Sequence, residues 1–111
     1  MHGTLLQIPA AGSISQKVLD RPPDVGELQA AVGGFLEIVP WFDSIGYGGV
    51  VMHCVVFCDE DGKHKELPPN ERASKLWHRA LERNRMRTLI RDQLVGPVAV
   101  VFGDRELMSE L

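Results

Sequence analysis

Two runs of strand-forming residues are apolar at almost every position, and they constrain the fold more than any other feature of the sequence. They are VVMHCVVFC (50–58) and QLVGPVAVVF (93–102). A strand turns alternate side chains to opposite faces, so a sheet covered on one face only should alternate apolar with polar residues. Two helices are expected to cover one face. We therefore expect the second face to be shielded by a barrel-like curl of the sheet, by the segment 10–23 or by a second copy of the protein, and we favour a homodimer.

The remaining pattern predicts a single domain over residues 1–111, of a length that forms an ordinary core. Hydrophobic residues at 44% and charged residues at 24% are globular values and exclude long-range disorder. The predicted class is α+β, a mainly antiparallel sheet with two helices in the order β-α-β-β-α-β. This is the ferredoxin-like order, and other small α+β arrangements fit nearly as well. The predicted segments are a strand 3–9, a short strand 16–19, a helix from Asp24, a strand 35–42, a strand 50–58, a helix from Asn70 that breaks past Asn84, a strand 93–102 and a polar C-terminal tail 103–111 that can form a terminal turn of helix.

The adjacent glycines Gly33 and Gly34 lie between the first helix and the strand that follows it. A glycine after the last helical turn adopts the left-handed conformation without a steric penalty. Phosphate-binding glycines have the opposite placement, after a strand and before a helix. The pair is therefore predicted to end the helix and turn the chain.

Two segments are predicted to be connections. DSIGYGG (43–49) is expected to be flexible because three of its seven residues are glycine. DEDGK (59–63) is expected to be the tip of a hairpin whose returning strand is KHKEL (63–67). Its carboxylates lack the ligand spacing of a calcium loop.

No motif in the chain indicates catalysis or metal binding. The four histidines have no metal-binding spacing, and the serines lie in no nucleophile elbow. Cys54 and Cys58 would lie about 13 Å apart on a strand, so we expect reduced, buried thiols. We expect no catalytic residues, no metal and no cofactor. An enzyme or nucleotide-binding domain whose site is assembled only by folding remains the third hypothesis.

The sequence predicts a cytoplasmic protein, in the host cytoplasm if a phage encodes it. The N-terminus has no basic region followed by an apolar core, as a signal peptide would. The longest apolar runs are far shorter than the roughly 20 residues that span a bilayer.

Positive charge is concentrated between residues 71 and 91. This segment has seven basic and two acidic side chains, a net charge of +5; since the whole chain carries −3, the rest carries −8. We predict that a basic stripe beside the apolar face of the second helix binds a partner, foremost a host protein. The alternatives are nucleic-acid binding by the same residues and a solvated helix face balanced by acids elsewhere. The predicted partner-binding residues are Arg72, Lys75, Arg79, Arg83 and Arg87.

Four elements in order resemble domain-of-unknown-function family 3846. They are LQAAVGGFLEIV, the CDEDGK hairpin, LPPNERASKLW and QLVGPVAVVFGD, and the resemblance runs from Leu5 to Phe102. The basic spacer 79–91 looks longer than in the family. The resemblance implies a small accessory protein of phages, plasmids or other mobile elements, often encoded near anti-restriction and other counter-defence genes. It implies no catalytic residues. Our leading hypothesis is a protein that acts by binding, as an inhibitor of a host defence protein of the anti-restriction or anti-CRISPR type.

Overall fold

A computed structural model describes all residues 1–111. The protein has a five-stranded, wholly antiparallel sheet with strand order β2-β1-β7-β6-β3, and a separate two-stranded hairpin, β4-β5. The elements are β1 (Gly3–Ile8), β2 (Ser15–Leu19), α1 (Val25–Val32), β3 (Leu36–Ile38), β4 (Ser44–Tyr47), β5 (Val50–His53), β6 (Val55–Asp59), α2 (Glu71–Arg83), β7 (Val98–Gly103) and α3 (Arg105–Met108). The predicted α+β class is confirmed.

The two long helices lie on opposite faces of the sheet. Along β7, Val98 and Val100 belong to the core cluster that contains the apolar side chains of α2 and the hairpin. Ala99 and Val101 belong to the cluster that contains those of α1 and α3. The ferredoxin-like arrangement is wrong for this chain, because that arrangement needs both helices on one face. The strand run is apolar on both sides because both faces are covered within one chain, and this removes the reason for placing a second copy there.

Both ends of α1 are determined locally. The Asp24 carboxylate accepts a hydrogen bond from the Glu27 backbone N–H at 2.7 Å, and the Glu27 side chain returns to the Asp24 backbone N–H. This reciprocal pair satisfies donors that the first helical turn leaves free. Gly33 ends the helix at φ 79°, in the left-handed region. The prediction that the glycine pair ends the helix and turns the chain is confirmed.

Helix α2 begins and ends near the predicted positions. Asn70 caps its start by accepting a hydrogen bond from the Ala73 N–H, and Asn84 follows its last residue. Ala73, Trp77 and Leu81 form part of its buried face. Arg85 has a positive φ of 58°, which ends the helical path.

The predicted strand 50–58 is two strands in two different sheets. The strand is interrupted at the buried Cys54, whose N–H donates to the Asp43 carbonyl at 3.0 Å. Before the break, β5 pairs with β4, so the segment 43–49 is half of a hairpin rather than a flexible connection. Gly48 and Gly49 have φ of 61° and 82° and form the turn. The hairpin lies over the α2 face of the sheet, with Ile45 in the core.

Three other segments differ from the prediction. Residues 60–66 form consecutive turns with no returning strand, because the Lys65, Glu66 and Leu67 N–H groups donate to carbonyl groups of residues 61–63. Strand β3 is three residues long, and β7 begins only at Val98. The C-terminal tail agrees with the prediction that it can form a terminal turn of helix: it contains α3, whose Leu107 is fully buried.

Candidate functional site

The outward face of α2 carries most of the predicted partner-binding residues. At about 100° per residue, Lys75 and Arg79 lie almost opposite the buried face of the helix, with Arg72 and Arg83 on one flank. Lys75, Arg79 and Arg83 are exposed and Arg72 is half-buried. We call these four residues the basic face.

None of the seven basic side chains between residues 71 and 91 forms an ion pair. Every side-chain ion pair in the protein uses one of four other cations: Lys17, Arg21, Lys63 and Lys65. Their carboxylate partners are Glu27, Asp92 and Asp59. The carboxylates elsewhere in the fold therefore do not neutralise the basic segment by contact.

Three of the predicted arginines are held by uncharged groups of the fold. Arg72 donates to the Pro9 carbonyl at 2.6 Å, and Arg83 donates to the Ser44 hydroxyl at 2.8 Å and to its carbonyl at 3.1 Å. Arg87 donates to the Ile90 carbonyl at 3.1 Å. Arg87 lies beyond the end of the helix, so it leaves the predicted stripe. Lys75 and Arg79 make no side-chain hydrogen bond and are the free cations of the basic face.

A cleft of about 300 Å³ opens on the same side of the sheet as α2. Its apolar floor includes Val39, Trp77 and Leu94, and the Trp77 ring is fixed by a 2.8 Å hydrogen bond from Nε1 to the Pro40 carbonyl. The other lining residues are Glu37, Pro40, Cys58, Asp59, Glu60, Lys63, Ile90, Asp92, Gln93 and Val95.

Four carboxylates and one ammonium group line the cleft. Lys65 donates a hydrogen bond to the Asp59 carboxylate at 2.7 Å, and Lys63 forms an ion pair with Asp92. Each lysine lowers the pKa of the carboxyl group that it contacts. Both are therefore ionised at neutral pH. Glu37 and Glu60 are exposed and form no ion pair. The cleft therefore carries net negative charge above an apolar floor. This combination suits a lysine or arginine side chain, which has a charged end and an aliphatic stem.

The cysteines and histidines do not assemble a reactive centre. Both cysteines are free; Cys54 is buried and Cys58 is half-buried. Burial raises the pKa of Cys54 to about 12 and that of Cys58 to about 11, so both stay as thiols at neutral pH. No group of three or more His, Cys, Asp or Glu side chains is placed to hold a metal ion.

One family model matches the chain: a domain of unknown function, DUF3846, over residues 8–110. The match covers nearly the whole chain. The protein belongs to this family. No curated protein and no solved structure matches.

The DUF3846 match includes both surfaces described above. It spans α2 with the basic face and every residue that lines the cleft. The family description assigns neither surface an activity. No helix of this DUF3846 protein has the length and apolar character needed to cross a membrane.

The sequence predicted the basic face of the DUF3846 domain but not its cleft. A run of cations can be counted along one helix, whereas the cleft is lined by Trp77 of α2 and by residues of the segments 37–40, 58–63 and 90–95. The conformation and exposure of Trp41 were not predictable from the sequence either. It has a positive φ of 60° and is 48% exposed, and its carbonyl accepts a 3.4 Å hydrogen bond from Asn84 at the end of α2. A large exposed aromatic residue in a strained conformation cannot be recognised from neighbouring residues alone.

Proposed function

We propose that this DUF3846 protein acts by binding an acidic protein partner through the basic face of α2. The observation that carries the proposal is the absence of any ion pair among the seven cations of residues 71–91, while Lys17, Arg21, Lys63 and Lys65 are all paired. An uncompensated cationic surface attracts a complementary partner over distances near the Debye length. Lys75 and Arg79 can engage a partner without first breaking an internal bond.

The class of partner that we propose is the one that the family resemblance implies. We propose an accessory protein of a phage, plasmid or other mobile element that works in the host cytoplasm. Its partner is a host protein, foremost a defence protein of the restriction or CRISPR type, that presents an acidic surface to the basic face. An acidic surface is the one property that the basic face requires of this partner.

Nucleic-acid binding is the second candidate, and one observation favours it. Six of the seven cations in residues 71–91 are arginines, whose planar guanidinium groups bind phosphates in a bidentate manner. The net charge of −3 and the single exposed tryptophan near α2 weigh against it, because single-strand binders stack several bases on aromatic side chains.

The test is affinity purification from host lysate with the wild-type protein and the double variant Lys75→Glu, Arg79→Glu, with nucleic acid measured in each eluate. A specific protein should co-purify with the wild type and bind the variant at least about tenfold more weakly. The free energy of unfolding should change by no more than about 0.5 kcal/mol, because the two side chains make no internal bond. Arg105→Glu is the matched control, since Arg105 is an exposed arginine outside the basic segment that forms no ion pair.

Two results would contradict the proposal. If the eluate contains nucleic acid, and binding to random-sequence DNA falls steeply with salt, phosphates are the ligand. If the double variant retains the partner, the basic face is not the interface.

The predicted homodimer is tested by sedimentation of the same samples. Any dimer must use a surface other than the faces of the five-stranded sheet, because both are covered within the chain. A 12.3 kDa species across a dilution series would exclude it.

A further inference from the structure

We propose that the free edge of β3 and the adjoining cleft together form a docking site for an extended segment of another protein, one with a lysine or arginine between two apolar residues. This site is separate from the basic face and goes beyond the function proposed above. It combines an open strand edge with a cleft of opposite charge to its ligand.

Strand β3 is the last strand of the sheet, and its outer edge is unpaired. The Val39 N–H donates to the Val56 carbonyl at 2.9 Å, and the Glu60 N–H donates to the Phe35 carbonyl at 2.8 Å. In an antiparallel ladder the bonded positions alternate, so residues 35, 37 and 39 face β6. The N–H and C=O groups of Leu36 and Ile38 therefore point away from the sheet, where an added strand can pair with them.

The side chains of β3 alternate between two environments. Glu37 and Val39 line the cleft, while Leu36 packs in the cluster that contains α1. Ile38 points to the same face as Leu36, opposite Phe57, and is 62% exposed. In an added antiparallel strand, the residue opposite Glu37 extends into the cleft and its two neighbours lie on the face of Leu36 and Ile38. The site therefore favours a peptide with three consecutive residues of which the central one enters the cleft and the two flanking ones are apolar.

The chemistry of the cleft selects a cation for the central residue. Glu37 and Glu60 have no ion-pair partner, and Trp77 and Ile90 provide apolar surface for an aliphatic stem. Two large exposed side chains adjoin lining residues in sequence: Trp41 follows Pro40, and Leu89, which is 75% exposed, precedes Ile90. Tryptophan is enriched among the residues that contribute most of the binding energy at protein interfaces.

A second copy of the chain fits this edge poorly. An antiparallel pairing of two β3 strands centred on Glu37 would place two carboxylates directly opposite each other, which is destabilising. Phosphate groups would meet the same carboxylates. Charge complementarity therefore favours a basic peptide over a second copy or a nucleic acid.

The experiment is an NMR titration of the ¹⁵N-labelled full chain with end-capped peptides centred on Val-Lys-Val. The amide signals of Leu36, Glu37 and Ile38 should shift, and hydrogen exchange at Leu36 and Ile38 should slow. A Val-Glu-Val peptide should bind about tenfold more weakly or not at all, because like charges then meet at Glu37. A Val-Lys-Val peptide N-methylated at both valines should lose binding to a similar extent, since it cannot donate to the strand edge.

A charge-reversed protein completes the test. Glu37→Lys should reverse the preference in favour of Val-Glu-Val, while Glu110→Lys, at an exposed position in the tail, should leave it unchanged. Preserved dispersion of the amide spectrum shows that each variant is folded. Equal binding of the lysine and glutamate peptides, unchanged binding of the N-methylated peptide, or no shift with any peptide up to its solubility limit would overturn the proposal. Competition by single-stranded DNA that shifts the same β3 amides would also overturn it.

Discussion

Asn70 joins three parts of the fold through one fully buried amide. Its side-chain NH₂ donates to the Ile8 carbonyl at 2.9 Å and to the Gly96 carbonyl at 2.8 Å, while its oxygen accepts from the Ala73 N–H at 3.1 Å. The sequence predicted the cap, because a cap depends on residues three positions apart. It could not predict the other two bonds, whose acceptors are 62 and 26 residues away.

Replacing this amide should cost more than an ordinary helix cap. Asn70→Ala removes three buried hydrogen bonds, two to carbonyls and one from an N–H, and we expect a loss of about 3 kcal/mol or more in the free energy of unfolding. Asn84→Ala, which removes an exposed bond to Asp43 at 2.8 Å, should cost about 1 kcal/mol. Urea denaturation monitored by circular dichroism measures both. Equal losses would show that the buried bonds of Asn70 contribute no more than exposed ones.

Among the secondary-structure elements, the helices were predictable and the strand pairings were not. Helix ends depend on local signals such as the Asp24 cap and Gly33. The break at Cys54 depends on the Asp43 carbonyl, which reaches Cys54 only after the hairpin has folded back. The glycines of 46–49 indicate a flexible connection in isolation, yet they form part of a hairpin because Ile45 packs in the core.

The Glu27 carboxylate of α1 forms ion pairs with Lys17 of β2 and with Arg21, which follows β2. These ion pairs predict that the stability of the folded protein depends on pH. Lys17 and Arg21 bond Glu27 at 2.7 Å and 2.6 Å, and these bonds lower the Glu27 pKa from 4.5 to about 2. A lowered pKa stabilises the folded state above pH 4.5, and this stabilisation is lost as the pH falls toward 2.

An NMR titration of the Glu27 carboxyl carbon should give a midpoint near 2 in the wild type. In Lys17→Met the midpoint should rise, because the hydrogen bond that contributes most is removed. Lys65→Met is the matched control: it removes the bond to Asp59 and should leave Glu27 unchanged. A Glu27 midpoint near 4.5 in the wild type would show that the ion pairs do not persist in solution.

At the scale of the whole molecule, the C-terminal segment completes the core beneath α1. Leu107 is fully buried in the cluster with Leu5 and Leu19, and it lies against Gly3 and Gly103 where β1 and β7 pair. A side chain at Gly3 would come within 2.8 Å of Leu107, so the bare backbone there makes room for it. The burial of Leu107 was not predicted, because most residues of 103–111 are polar.

Leu107→Ala should lower the free energy of unfolding by about 2–5 kcal/mol, since it leaves a cavity in a closed cluster. Leu111→Ala, at a position that is 41% exposed, should cost about 0.5 kcal/mol or less. The melting temperatures of the two variants and of the wild type, measured by thermal unfolding, test this prediction. Similar melting temperatures for both would mean that the tail does not pack on the sheet in solution.

The pairing of β1 with β7 also bears on how the protein is made. Gly3 pairs with Gly103 and Ile8 with Val98, so the centre of the sheet joins a strand synthesised before α1 to one synthesised after α2. Until β7 has been synthesised, β1 lacks one of its two partner strands. Such long-range closure slows folding. A chain whose translation stops before Val98 would therefore lack the middle of its sheet, and β1 and β6, the other two strands with core side chains on both the α1 face and the α2 face, would not be joined.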